Sequence, residues 1–393
     1  MADNAPSRPS IRGETHMTAT VAVIAPQTDW CALAREIADH AAALAEQHDA
    51  ADSFVEESFD LLKQAGLFAA LVPADLGGGG ASIATLCECI GILARGCGST
   101  ALAFAMHSHI VAVAAWRRQH QGAPTEGLLR RVVNEGLVLV SSGGSDWLAS
   151  GGEAERVDGG YLIRARKGFA SGSPVGDLLV TSAVTQDPET GPTVLHFAVP
   201  LRGEGIVHHP TWQTIGMRGT GSNDVEFDSV FVADAAISGK RPAGEWHMLF
   251  HVISKIAFAL IYAAYAGLAE AARDRAVALA ARRAPDPLVA QIAGELENEL
   301  LGMQLAHRRA IEIAENCAPG EATTSAAMAC RTLTGQHAIA AATKAMELAG
   351  GQAFYRKAGL ERIFRDVQAA RFHPLQEKQQ LDLTGRTALG WPI

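Results

Sequence analysis

The chain has 393 residues, of which 48% are hydrophobic and 19% charged, and its formal net charge is −9. That balance excludes a disordered chain, and the acidic sum excludes a protein that tracks a phosphate backbone, which needs a basic face. The length supports a large core divided over two or three domains.

Residues 1–27 are rich in Ser, Pro and Thr and have no long apolar run, so they read as a disordered tail rather than a signal peptide. From Asp29 to Glu135 the chain turns to Ala, Leu and Glu at helical spacing. Apolar residues over 59–68 recur at i, i+3 and i+4, with Gly66 as the expected stop. Pro73 and the four glycines at 77–80 predict a connecting loop rather than a phosphate cradle, which needs a strand before it and usually a Lys at its end. Helices are predicted again over 82–109 and 126–133.

Near Leu137 the period becomes twofold, and 137–140, 160–166, 178–181, 194–199 and 225–232 read as strands. Turns are expected at Asp158-Gly159-Gly160 and Asp187-Pro188. Strands without intervening helices predict an antiparallel sheet or barrel. Four Ala-rich helices, over 256–280, 287–316, 323–348 and 360–371, then predict a bundle. The uncharged stretch 256–269 is too short to span a bilayer of roughly 30 Å. Six cysteines form no CxxC pair and meet no His at ligand spacing, so reduced thiols, a cytoplasmic location and no metal are expected. His107 with His109, and His208 with His209, lack acidic or thiolate companions and are not predicted to ligate metal.

This order of zones, with its motifs, resembles the acyl-CoA dehydrogenase superfamily of flavoenzymes over nearly the whole chain after the tail. The motifs are residues 61–67 followed by Val72-Pro73 and the glycine run, then Gly144-Ser145-Asp146, then 167–172. Gly216-Met217-Arg218 with Thr220, Gly350-Gly351, and 360–366 complete the set in the right order. The resemblance implies an α+β, mainly α chain. Its parts are an N-terminal helical domain over 28–136, a central antiparallel β domain over 137–240 and a C-terminal four-helix bundle over 241–393.

It also implies a bound flavin, FAD or, in one branch, FMN. Phe169 takes the place of the family's flavin-facing Trp and Ser171 that of its hydroxyl donor near N5. Ser141 falls in the first flavin loop, where the family's Thr-Glu pair is shortened to Val140-Ser141-Ser142. Ser145, in the loop that opens the β domain, reads as a helix cap or a contact to either ligand. Arg282 or Arg283 would neutralise the pyrophosphate, and Glu347, Gly350 and Gly351 match the segment that receives the adenosine half of a neighbouring subunit's flavin. A homotetramer with flavin sites at its interfaces is expected.

One departure bears on the reaction. Family dehydrogenases remove an α-proton with a glutamate while hydride passes from Cβ to flavin N5. Counting from Arg365-Asp366, its usual place holds Pro374, preceded by His373, and the alternative place at 251–257 has no carboxylate. A His here occurs in relatives that accept reduced flavin from a reductase and use oxygen, where it deprotonates substrate or hydrogen-bonds the flavin. His373 is therefore the candidate catalytic residue. Three functions stand open: dehydrogenation of an acyl-CoA-like thioester, first by family base rate, with an electron-transfer flavoprotein as partner; a two-component flavin monooxygenase acting on an aromatic, heterocyclic or sulfur compound; and a non-catalytic flavin-binding protein. Neither nucleic acid nor membrane is expected as a partner.

Overall fold

A computed structural model describes residues 28–142 and 146–393. Asp29 caps α1 (Trp30–Ala51) by accepting the Ala32 N–H at 2.9 Å. Helix α2 (Glu56–Gln64) ends before Gly66, whose φ of +73° makes the left-handed turn the sequence predicted. The glycine run packs on itself. A Cβ at Gly78 would stand 2.2 Å from the Val72 carbonyl oxygen, so the run is a tight connector.

The helix expected over 82–109 is two helices, α3 (Ile83–Gly96) and α4 (Gly98–Gln121), separated by the extended backbone of Cys97. After α5 (Glu126–Glu135) the chain enters the sheet. Its strands are β1 (Leu139–Ser141), β2 (Glu153–Val157), β3 (Gly160–Ala170), β4 (Leu178–Asp187), β5 (Gly191–Pro200), β6 (Ile206–His209), β7 (Asn223–Ala233) and β8 (Gly239–Pro242). The order is β6-β7-β3-β2-β4-β5-β8, with β1 beside β4. The pairing is mostly antiparallel as expected, but β1 runs parallel to β4, and β2 touches β4 in parallel at Glu153 and Val184. Strands β2, β6 and β8 were not predicted, because they are short and largely exposed and so carry little apolar alternation.

The rest is helical: α6 (Met248–Ala280), α7 (Pro287–Asn316), α8 (Glu321–Ala349), α9 (Leu360–Val367) and the unpredicted α10 (Glu377–Leu389). Asp286, with Pro287 in the first turn, starts α7, as cap chemistry prefers. Helices α4 and α6 are long and apolar enough to cross a membrane by length and composition, which corrects the reading from uncharged stretches alone. Both are core helices, with 83% and 94% of their apolar windows buried inside the protein. One core joins the helices and a second, around Ile163, Leu195, Phe197 and Phe227, fills the sheet. The space between them forms the site.

Candidate active site

A cavity of about 1380 Å³ opens where α4 and α6 face the sheet and the loop before α10. A pocket for one drug-sized ligand is roughly 300–1,000 Å³, so this one has room for a cofactor and a substrate together. Its helical walls follow from residue spacing. Leu102, Met106, His109, Val113 and Arg117 form one stripe of α4, and Leu249, Ile253, Ala257, Ile261 and Tyr265 form one stripe of α6.

His373 lines this cavity. Its ring Nε2 lies 2.6 Å from the Tyr265 hydroxyl. The Tyr265 phenol is fully buried and burial pushes its pKa well above the ordinary value, so it keeps its proton. Among the described residues His373 is that hydroxyl's one hydrogen-bond partner, and a buried O–H without an acceptor is costly, so Tyr265 donates to Nε2. The proton of His373 then sits on Nδ1. Burial, with the Arg331 guanidinium, pushes the His373 pKa down to about 3, so the ring is neutral. Arg331 also fixes the backbone, donating to the carbonyls of His373 and Leu375 at 2.7 Å each.

His109 was not predicted as a site residue, yet it lines the same cavity and its charge would act on His373. Its Nδ1–H donates to the Ala105 carbonyl at 3.3 Å, which leaves Nε2 as an acceptor. Burial lowers its pKa to about 4. The wall therefore presents a neutral donor, His373 Nδ1–H, and a neutral acceptor, His109 Nε2. The signal in the sequence was an ionisable residue inside an apolar helical stripe. His107, two residues away, is structural: it donates to the Phe68 carbonyl and accepts the Leu139 N–H, both at 2.9 Å.

On the sheet side, Phe169 sits at a bulge between β3 and β7, with φ of +57° and 52% of its surface exposed. Its ring meets Trp212 edge to face at 5.7 Å. Phe169, Met217 and Leu375 are left-handed non-glycine residues in or beside the cavity wall, a strain of about 1–3 kcal/mol each that concentrates at functional sites. Ser171 is buried and shares its hydroxyl with Ser222 at 2.8 Å, which continues to Thr220 at 2.7 Å. The Ser141 hydroxyl is buried with no partner among the described residues. An exposed aromatic wall, a buried hydroxyl chain and an unpaired hydroxyl on one cavity fit an isoalloxazine, which needs a flat apolar face and polar groups at its edge.

Two ionic features hold this wall. Lys167 is fully buried and donates to Asp146 at 2.7 Å and to the Ser182 carbonyl at 2.6 Å, fastening the chain after residue 145 to β3 and β4. Met217 N–H donates to the buried Asp366 carboxylate at 2.6 Å, and a Cβ at Gly216 would stand 2.3 Å from the Arg365 carbonyl oxygen. Two motifs far apart in sequence are thus one joint between sheet and bundle. Arg365 closes it by gripping Asp49 through both guanidinium nitrogens, at 3.0 and 2.6 Å.

Other expected residues lie elsewhere. Ser145 is outside the described residues. Arg282, Glu347, Gly350 and Gly351 do not line the cavity of their own chain. Arg283 rather than Arg282 meets the end of α8, donating to the Leu348 carbonyl. The Glu347 carboxylate is taken by Lys344 at 2.9 Å.

The sequence matches the acyl-CoA dehydrogenase N-terminal domain over residues 27–123, the middle domain over 141–230 and the C-terminal domain over 253–377. It is 28% identical to cyclohex-1-ene-1-carbonyl-CoA dehydrogenase of Geobacter metallireducens, over 90% of this chain and 94% of that one. It is 27% identical to dibenzothiophene monooxygenase of Mycolicibacterium goodii, over 84% and 86%. Among solved structures, KijD3 in complex with FMN and dTDP-3-amino-2,3,6-trideoxy-4-keto-3-methyl-D-glucose superimposes with a TM-score of 0.84. It is 25% identical and covers 94% of this chain and 96% of that one.

Proposed function

The chain belongs to the acyl-CoA dehydrogenase superfamily of flavoenzymes, and on that premise we propose that it is a flavin-dependent monooxygenase. It would use reduced flavin and oxygen on a largely apolar aromatic, heterocyclic or sulfur compound. The observation that carries this reading is the set of charges on the cavity wall. By the family resemblance, the dehydrogenases remove the weakly acidic α-proton of an acyl thioester with a free glutamate carboxylate as the positioned base. Among the described lining residues only Asp146 and Asp224 are carboxylates, and both are bound to cations, Lys167 and Arg166. The order set by family base rate is thereby reversed.

Phe169 would form the flavin's aromatic wall, with Ser171 and Ser141 hydrogen-bonding its edge. When bound, reduced flavin supplies the two electrons that activate oxygen. His373 holds a proton at Nδ1 and donates a hydrogen bond from it, while His109 Nε2 accepts one. The apolar stripes of α4 and α6 exclude water and orient the substrate. This chain's cavity serves the FMN portion; the 350–351 segment would serve an FAD only in another copy, consistent with a homo-oligomer.

The test supplies the full chain with FMN, an NADH-dependent flavin reductase and oxygen, and measures substrate oxidation for a panel of aromatic heterocycles including dibenzothiophene. Oxygenated product that requires the protein supports the reading. Anaerobic bleaching of bound flavin by butyryl-CoA, with no oxygenated product, replaces it with the dehydrogenase. Flavin binding with neither oxygenated product nor bleaching leaves the non-catalytic flavin-binding protein.

A further inference from the structure

We propose that the part of the cavity beside the C-terminal turns of α4, two helical turns beyond His109, anchors an oxyanion on the substrate, with Arg117 as the binding residue. The inference rests on the proposed function only in treating this cavity as the substrate's. Arg117 lines the cavity on the last turns of α4 and is half-buried. Its Nε donates to Gln121 at 3.3 Å, and its remaining donors have no partner among the described residues. Burial lowers its pKa, so the charge is already partly desolvated.

The surroundings add positive charge without cancelling it. Arg241 is buried, and its guanidinium goes to the carbonyls of Leu148 and Trp147 and to His196, with no carboxylate partner. Of the two carboxylates that line the cavity, Asp146 is paired with Lys167 and Asp224 with Arg166. Arg117 is thus left without a carboxylate partner among the described residues, while the Asp146 charge also acts on Arg241. Arg241 Nε donates to His196 Nε2 at 3.1 Å, so the neutral His196 carries its proton on Nδ1. His196 lines the cavity, and its Nδ1–H has no hydrogen-bond partner among the described residues. The N-terminus of α6, at Leu249 and Phe250, reaches the same wall with the positive end of its dipole. A bidentate guanidinium beside a neutral imidazole, on the wall of a largely apolar cavity, recognises a carboxylate, sulfonate or phosphate.

The geometry also sets a length. His109 lies within reach of His373, and Arg117 is two helical turns further along α4, about 12 Å at 1.5 Å per residue. A ligand that spans from the imidazole pair to the anchor is about two aromatic rings long.

The probes are biphenyl-4-carboxylate, biphenyl-4-sulfonate and neutral biphenyl-4-methanol, titrated into the full chain with and without FMN. Tryptophan fluorescence reports binding, since Trp147 lines the cavity. Both anions should bind about tenfold or more tighter than the alcohol. Arg117→Gln should erase that preference while leaving alcohol binding and melting temperature in place, and Arg117→Lys should retain part of it. Equal affinity for anion and alcohol overturns the proposal. So does a preference that survives Arg117→Gln, or no binding by either anion. Because binding is read without turnover, a failed oxidation assay with an intact anion preference rejects the monooxygenase alone.

Discussion

The Tyr265 hydroxyl and the His373 ring, 108 residues apart in sequence, meet at 2.6 Å and fix one neutral tautomer. A histidine held in this way is a hydrogen-bond donor at neutral pH and a weak base. Turnover should therefore show no inflection near pH 6.5 from this group, because its pKa lies at about 3. His373→Ala should lower turnover by about 10² to 10³-fold, as for loss of one hydrogen-bond donor at a reacting centre. His373→Gln, which can still donate, should recover part of it. Tyr265→Phe frees the tautomer and should cost about three- to tenfold. Steady-state kinetics across pH 5–9 checks all three, and failure of Gln to recover any activity would show that proton transfer, not donation, is the role.

Phe169 stores backbone strain without burying its ring. Phe169→Gly relieves the left-handed conformation, so thermal stability should hold or rise by up to about 1 kcal/mol. Flavin affinity should fall about tenfold with the loss of the aromatic wall. Thermal melts and flavin titration on the same preparation separate the two effects. A stability loss with unchanged flavin affinity would place Phe169 in the core rather than at the cofactor.

Lys167 and Asp146 form a buried pair, and removing one partner strands the other. Lys167→Met should destabilise the protein by about 3–5 kcal/mol, whereas Lys167→Met with Asp146→Leu should recover much of that loss. Urea unfolding of the two variants measures it.

Stability should fall on acidification. The His107 pKa is pushed down to about 4 by burial, and both ring nitrogens are already used by neutral-form hydrogen bonds. Between pH 6.5 and 4 the unfolded histidine takes up a proton that the folded one refuses. Its contribution is therefore full above pH 6.5 and is lost at about 1.4 kcal/mol per unit as pH drops. His109, His196 and His373 are shifted the same way. Asp366 opposes them: burial raises its pKa to about 6, so its contribution is present below 3.8 and is lost as pH rises through 6. The four histidines outweigh the one carboxylate, and melting temperature should decline steadily below pH 6.5. His107→Gln, which can make both hydrogen bonds without titrating, should flatten the decline.

What the sequence determined by itself is whatever depends on neighbours along the chain. Gly66 stops a helix, Asp286-Pro287 starts one, and residues 225–232 alternate as a half-buried strand. The family resemblance, counted forward from Arg365-Asp366 across one short helix and one loop, pointed to His373, which lines the cavity. Residues that matter through distant partners were not legible. His109 and Arg117 read as an ordinary helix face until α6 and the sheet enclosed them. The Arg241–His196 pair joins β8 to β5, and Lys167 meets Asp146 only when β3 packs beside the chain after residue 145. Strands β2 and β8 are held by their neighbours' backbones rather than by an apolar pattern of their own. The protonation of the site follows the same division: an imidazole's ordinary pKa belongs to the residue, but the burial that keeps His373 and His109 neutral belongs to the tertiary structure, since desolvation depends on everything packed around the ring.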